Sequence, residues 1–452
     1  MDRLRSVLGD DAVVDDPDVL DSHRNDHAKF CTAGMPRALV RPSSTAEVVE
    51  VVRAAGELGV PIVTQGARTG LSGAANAIDG CLLLSTARMS QILEISVEDQ
   101  VAVVQPGVVN AQLSRAVLDQ GLFYPPDPSS WEMSTVGGNI ATNAGGLCCV
   151  KYGVTSDFVR GLEVVLASGE VVRTGRRSAK GVAGYDLTRL IVGSEGTLGV
   201  VTEATLALRP APEAALTAAA TFRSIEDGIA AAAAVMASGL RPSLLEFLDQ
   251  PTLRAIQDYR DMGLPEDVGS MLLAQSDRGP RAAEDVAQIA EICTAHGAIE
   301  VAEASDAEES RMLLEARRLV NSALEPLGTT LIDDVAVPRS QLITLLRGIA
   351  EIGAKYDVLI CCPGHVGDGN MHPTVVFDPA DAAAEARALE AFGAVMQLGL
   401  GLGGTITGEH GIGTLKARWL ETELGPVGLE LHRRIKAAFD PGNLFNPGKV
   451  LL

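Results

Sequence analysis

The chain has 452 residues, 46% hydrophobic and 21% charged, with a formal net charge of −21. That composition suits two or three folded domains with a large core and argues against bulk disorder. The acidic balance offers no basic face for nucleic acid or an anionic membrane, and no apolar run approaches the roughly 18 residues of a membrane helix.

In chain order, residues 40–47 read as a strand leading into a helix. Ser44 is the expected N-cap, with Glu47 three residues on as a capping box. The helix spans 46–58 and stops at Gly59. Short strands are expected at 60–63, 81–85, 101–105, 162–167 and 171–174, with glycine turns between them. Residues 211–236 are Ala-rich and read as strand, then helix. Helices are expected at 281–296 and 306–324, and a final one near 429–439. The order is α+β, divided as 1–210, 211–402 and 403–452.

The first residues, Met1-Asp2-Arg3-Leu4-Arg5, lack the apolar core of a signal peptide, so a cytoplasmic location is expected. Seven cysteines include two adjacent pairs and no CxxC. Reduced, buried thiols are expected, with no zinc knuckle or iron–sulfur cluster. GxGxxG after a strand, GxxxxGK[ST], HExxH and GxSxG are all missing, so a nucleotide-type cofactor must be held in some other way.

Three glycine-rich segments stand out. The first is Thr64-Gln65-Gly66-Ala67-Arg68-Thr69-Gly70-Leu71-Ser72-Gly73, whose backbone N–H groups can converge on one anion. The second is Ser134-Thr135-Val136-Gly137-Gly138-Asn139-Ile140-Ala141-Thr142-Asn143-Ala144-Gly145-Gly146. It carries almost no bulk, as a surface lying against a large ligand would. The third is Gly193-Ser194-Glu195-Gly196-Thr197-Leu198-Gly199-Val200-Val201. Taken singly, each also reads as a tight turn.

Two segments in the last quarter hold three of the seven histidines. They are Gly364-His365-Val366-Gly367-Asp368-Gly369-Asn370-Met371-His372 and Gly408-Glu409-His410-Gly411-Ile412-Gly413. His365 and His372, on either side of a glycine-rich turn, can converge on one ion, and a carboxylate from elsewhere would complete the set. Satisfied core or surface histidines are the alternative reading.

The order of the glycine loops, with Pro125-Pro126-Asp127-Pro128 before the second and Lys151-Tyr152-Gly153 after it, resembles the flavin-binding domain of the vanillyl-alcohol oxidase / p-cresol methylhydroxylase superfamily. The two His/Glu segments resemble its D-2-hydroxy acid dehydrogenase branch, which includes D-lactate and D-2-hydroxyglutarate dehydrogenases and the glycolate oxidase flavin subunit. The resemblance implies a two-lobed FAD-binding domain, an αβ substrate (cap) domain, and a C-terminal segment returning to the flavin.

Residue by residue, it implies that Gln65, Gly66, Ala67, Arg68, Thr69, Gly70, Ser72 and Gly73 cradle the FAD pyrophosphate. Pro126, Asp127, Ser134, Thr135, Gly137, Gly138, Ala141, Thr142, Asn143 and Gly145 line the flavin. Val200 and Val201 lie on the adenine side, and Asn446 returns from the C-terminus. With no histidine between Gln65 and Gly73, FAD is expected to be held non-covalently. His365, His372 and Glu409 are implied as ligands of a divalent metal, zinc ahead of manganese or iron. His410 is implied as general base and Asn370 as a polar contact to substrate.

Arg317 and Asn321, four apart on an expected helix, are candidates for the substrate carboxylate. A solvated helix arginine is the alternative for Arg317. In the hydroxyglutarate enzymes the Asn321 position is Thr and the Ile332 position is Lys. Without that cation, and with Asp333 and Asp334 adjacent, a second substrate carboxylate is disfavoured. Lactate, glycolate or a longer 2-hydroxy acid is expected instead.

Trp131 either covers the second loop or packs nearby. Cys148 and Cys149 read as buried inert thiols ahead of thiols near the cofactor, and Lys416 as a solvated surface lysine ahead of one contacting an anion. The electron acceptor is open between a quinone, an electron-transfer flavoprotein and an iron–sulfur protein. Three other readings remain: a flavin subunit working only inside a larger complex, a flavin-free metal hydrolase, and a non-catalytic binding module.

Overall fold

The computed structural model describes residues 2–451. The chain divides into two units: Met1–Gly146, Gly153–Ala211 and Glu409–Leu452 form the first, and Leu147–Tyr152 with Pro212–Gly408 form the second.

The first unit has two lobes. One is a four-stranded sheet in the order Val13–Val14, Ala38–Val40, Leu82–Ser85, Ile62–Gln65. Its last three strands are parallel. The other is a five-stranded antiparallel sheet, Ile92–Ser96, Val101–Val104, Val200–Ala207, Val159–Val165 and Val171–Gly175. The helix Thr45–Leu58 joins them, because Val48, Val51, Val52 and Ala55 recur at helical spacing and are all fully buried. They share one core with Val40 and Leu84 of the first sheet and Val165 and Val200 of the second.

Ser44 caps that helix by accepting from Glu47 N. The Glu47 carboxylate reaches back to Ser43 N and Oγ rather than to Ser44, so the box closes one residue earlier than expected. Gly59 ends the helix at φ 61°. The C-terminal segment adds to the free edge of the first sheet: Ile62 N donates to Leu444 O, and Asn446 N donates to Ile62 O. The last helix is longer than expected, Leu420–Phe439, and kinks where Gly425 takes φ 69° before Pro426.

The second unit is built on a seven-stranded sheet. Its order is Ala298–Glu303, Leu216–Phe222, Ser270–Ser276, Leu244–Asp249, Gly364–His365, Asn370–Met371 and Val335–Ala336. Every pairing in it is antiparallel. A three-stranded sheet, Thr329–Ile332, Thr374–Phe377 and Leu359–Cys361, accompanies it. The expected helix at 306–324 is two helices, Ala307–Leu313 and Glu315–Leu324, broken at Leu314. The second packs Ala316, Val320 and Ala323 against Leu244 and Leu248, so the face of strand Leu244–Asp249 that also carries Glu246 looks toward Arg317. Among the described residues, no helix is long and apolar enough to cross a membrane.

Candidate active site

The first glycine loop leaves the parallel sheet at Gln65. That side chain is buried and donates to His23 O and Ala75 O, which closes the loop onto its own base. Arg68 stands at φ 62° and donates to Ser22 O at 2.6 Å, and its burial lowers the guanidinium pKa. Ala67, Thr69 and Gly70 are half-buried, and Ser72 and Gly73 are buried. Ser72 O accepts from Thr414 N and Leu415 N, tying this loop to the stretch just after His410.

The second loop lies directly against the first. A Cβ on Gly66 would stand 2.3 Å from Thr135 Oγ1, so only a glycine permits this approach. Thr135 caps the helix Val136–Thr142, which carries Gly137, Gly138, Ala141 and Thr142. Asn143 ends it at φ 53°, with its side chain accepting from Ser156 N. Asn110 pins the approach, donating from Nδ2 to Pro126 O and from its backbone to Ser134 O. Asp127 lies beside Gly146, and Gly145 is buried. Trp131 is half-buried and donates from its backbone to Pro128 O. Val200 points into the core, whereas Val201 is half-buried on the opposite face of its strand.

The third loop is tied to the other parts of this unit by Glu195. Its carboxylate accepts from Ile412 N at 2.7 Å and Gly413 N at 2.8 Å, two and three residues past His410. Burial pushes its pKa up to about 7 despite those two amides. Asn446 Nδ2 donates to Glu195 O and Ala74 O, so the C-terminal segment clasps the first and third loops together. Below them, Lys449 is 4% exposed and donates to Ala74 O and Asn76 O, and burial lowers its pKa to about 8.

These loops suit a large polar cofactor. Ser72 Oγ, Ser134 Oγ, Asn139 Nδ2 and Asn446 Oδ1 are buried with no hydrogen-bond partner among the described residues. Such groups are costly unless a ligand satisfies them.

In the second unit, His365 and His372 flank a tight hairpin. Their rings meet edge to face with centroids 4.9 Å apart, and both are buried. Behind each ring stands a fully buried carboxylate. His365 Nδ1 lies 2.6 Å from Glu246 Oε1, and His372 Nδ1 lies 3.7 Å from Asp334 Oδ1. Thr407 Oγ1 donates to Asp334. The second oxygen of Glu246 accepts from Arg317 Nε at 2.7 Å. Arg317 is thus turned inward, while Asn321 on the same helix is exposed.

Asn370 is 7% exposed, and its Oδ1 has no hydrogen-bond partner among the described residues. A Cβ on Gly408 would strike its amide at 2.5 Å, so the chain passes close over Asn370 immediately before Glu409. Glu409 and His410 are largely buried, with His410 Nε2 3.9 Å from Glu409 Oε1. Two buried imidazoles backed by carboxylates form the donor set that a borderline divalent cation takes.

Two sequence expectations are corrected. Lys416 is 1% exposed, a buried cation rather than a surface one, because the 411–417 stretch runs through the interior. Cys148 and Cys149 are half-buried, not buried, and no disulfide joins any of the seven cysteines. Sequence reasoning also missed Glu246, Glu195, Lys449 and Asp26, which is 8% exposed. For Glu246 a signal existed: one acid in the apolar run Leu244-Leu245-Glu246-Phe247-Leu248.

Comparison with known proteins agrees with this geometry. Residues 36–175 match an FAD binding domain, and residues 211–450 match the C-terminal domain of FAD linked oxidases. The chain belongs to the FAD-linked oxidase family, and it is an FAD-linked oxidoreductase with the two-lobed flavin fold that the resemblance implied. It is 47% identical over 92% of its length to the glycolate oxidase subunit GlcD of Bacillus subtilis, covering 89% of that protein. It is 34% identical over its whole length to a D-lactate dehydrogenase of Anaerostipes hadrus, covering 96% of it. In fold it is similar to p-cresol methylhydroxylase, with a TM-score of 0.82 at 20% identity, covering 100% of this chain and 96% of that one.

Proposed function

We propose that the protein oxidises a D-2-hydroxy acid, lactate, glycolate or a longer homologue, to the 2-oxo acid. The observation that carries this reading is the buried set Arg317–Glu246–His365 beside His372. A buried guanidinium next to two buried imidazoles in a flavin-linked chain supports a carboxylate subsite beside a metal site. Relatives named as a glycolate oxidase subunit and a D-lactate dehydrogenase support the substrate class.

FAD, held non-covalently by the three glycine loops, would supply the hydride acceptor. His365, His372 and Glu409 would hold a divalent metal, zinc ahead of manganese or iron, which would act as a Lewis acid toward the substrate hydroxyl. His410 takes the hydroxyl proton as general base. Arg317 holds the substrate carboxylate through its terminal nitrogens, and Asn370 offers an amide to the bound acid. Fixing both ends of a short 2-hydroxy acid aligns its C2 hydrogen before reaction.

The test is dye reduction by the purified yellow protein against D- and L-2-hydroxy acids, before and after chelation. Chelation should abolish turnover until metal returns; full activity in a metal-free protein contradicts the reading.

A second reading has its own support: a relative at 47% identity is named a subunit. In that case electrons leave to a partner chain carrying an iron–sulfur cluster, since the seven cysteines include no CxxC. A quinone or an electron-transfer flavoprotein is the other possible acceptor. Rapid dye-linked turnover by the isolated chain argues against dependence on a complex.

A further inference from the structure

We propose that Glu246 is a positioning residue that sets the metal-binding face of His365 and the substrate-binding face of Arg317 together; this rests on the reading above. The backbone dictates both contacts. Strand Leu244–Asp249 pairs with Gly364–His365 in the register Phe247 opposite Gly364, which sets Glu246 across from His365. The helix Glu315–Leu324 packs on the strand face that bears Leu244, Glu246 and Leu248, which brings Arg317 to the same carboxylate. Glu246 has no exposed surface, so water does not compete for either oxygen.

The chemistry follows from what each atom can do. An ionised carboxylate only accepts hydrogen bonds. With Oε1 2.6 Å from Nδ1, the neutral His365 ring carries its proton on Nδ1. Its Nε2 then bears the lone pair, which is the tautomer a metal ligand requires. With Oε2 holding Arg317 at Nε, the two terminal guanidinium nitrogens are the donors left for an anion. One carboxylate therefore sets the ligand face of the histidine and the binding face of the arginine at once.

The experiment uses the FAD-loaded full chain, stripped of metal and titrated with zinc and with manganese. Wild type, Glu246→Gln and the double variant Glu246→Gln/Arg317→Met are compared. The double variant removes the buried charge pair together and guards against misfolding of the single one. Metal affinity should fall roughly 10- to 100-fold in both variants, with flavin content unchanged. In Glu246→Gln the KM for the 2-hydroxy acid should also rise. Nitrogen-15 spectra of the metal-free wild type should show His365 protonated on Nδ1, and that signature should be lost in Glu246→Gln.

Equal metal affinity in all three proteins overturns the proposal, as does an Nε2-protonated His365 in wild type. If wild type takes up no divalent metal at all, the metal reading fails. The tautomer spectra and the KM then decide the role of Glu246 by themselves.

Discussion

Arg317 donates from Nε to Glu246 at 2.7 Å, with the two side chains 15% and 0% exposed. A pair this deep tolerates loss of one member poorly. Arg317→Met leaves a buried carboxylate without its guanidinium and should destabilise the fold by about 3–5 kcal/mol. Arg317→Lys keeps the charge but not the planar fork. The loss of a charge-assisted hydrogen bond to the substrate, about 1.5–3 kcal/mol, corresponds to a KM for the 2-hydroxy acid raised roughly 10- to 100-fold. Steady-state kinetics of Arg317→Lys with the flavin fully loaded check this; an unchanged KM places the substrate carboxylate elsewhere.

That same pair marks where the sequence stops being informative. Local signals were legible: Ser44 before a 3.6-residue apolar pattern, Gly59 after it, and three glycine-rich loops, the second almost without bulk. They depend on neighbours within a few residues, and the structure has the corresponding helix and turns. Glu246 and Glu195 depend on partners far along the chain, Arg317 and His365 in one case and Ile412 and Gly413 in the other. No periodicity encodes such contacts. Lys416 was misread for a related reason, since a lysine beyond a glycine turn resembles surface until the path of the chain is known. Asn321 matched a helical face with Arg317 by spacing, but four residues of helix advance the side chain by about 40° beyond a full turn. Here that separation goes with one residue turned inward and the other exposed.

The buried Glu195 carboxylate gives the fold a pH signature. Its ordinary value of 4.5 is pushed up to about 7. The folded chain therefore binds this proton more tightly than the unfolded chain. The resulting stability is fully present below about 4.5 and is lost as pH rises through about 7, an effect on the order of 3 kcal/mol. Lys449, lowered from 10.5 to about 8, acts in a separate window: its contribution is present above 10.5 and lost as pH falls through about 8. Glu195→Gln should flatten the decline between pH 4.5 and 7, and, by removing a negative charge that raises the Lys449 pKa, should extend the alkaline limb to lower pH. Urea unfolding across pH 4.5 to 10.5 measures both limbs; an unchanged acid limb in the variant shows that another group titrates there.

Gly66 tests the flavin platform without removing any polar group. An added methyl would stand 2.3 Å from Thr135 Oγ1, which cannot swing away without releasing its cap on Gly138 N. Gly66→Ala should therefore push the first two loops apart and weaken FAD binding at least tenfold, read from quenching of flavin fluorescence. Adding Thr135→Ala makes room at the cost of the cap, about 1 kcal/mol, and should restore much of the affinity. Denatured wild type should release all its flavin into the supernatant. An FAD affinity in Gly66→Ala equal to wild type places the cofactor away from these loops.

His410 tests the chemistry rather than the platform. It stands two and three residues before the amides that Glu195 holds, so its backbone is fixed by a contact that does not involve its ring. Replacing the ring with a methyl should therefore leave flavin content and the visible spectrum as they are. If the imidazole takes the hydroxyl proton during hydride transfer, kcat should fall about 10²- to 10⁴-fold in His410→Ala. KM should change little if the substrate carboxylate is held at Arg317 as proposed. The slow step should then be flavin reduction, seen directly by mixing excess 2-hydroxy acid with enzyme under anaerobic conditions. A variant that reduces its flavin at the wild-type rate but binds substrate weakly would make His410 a binding group instead. The proton would then have to leave through another residue near the bound acid.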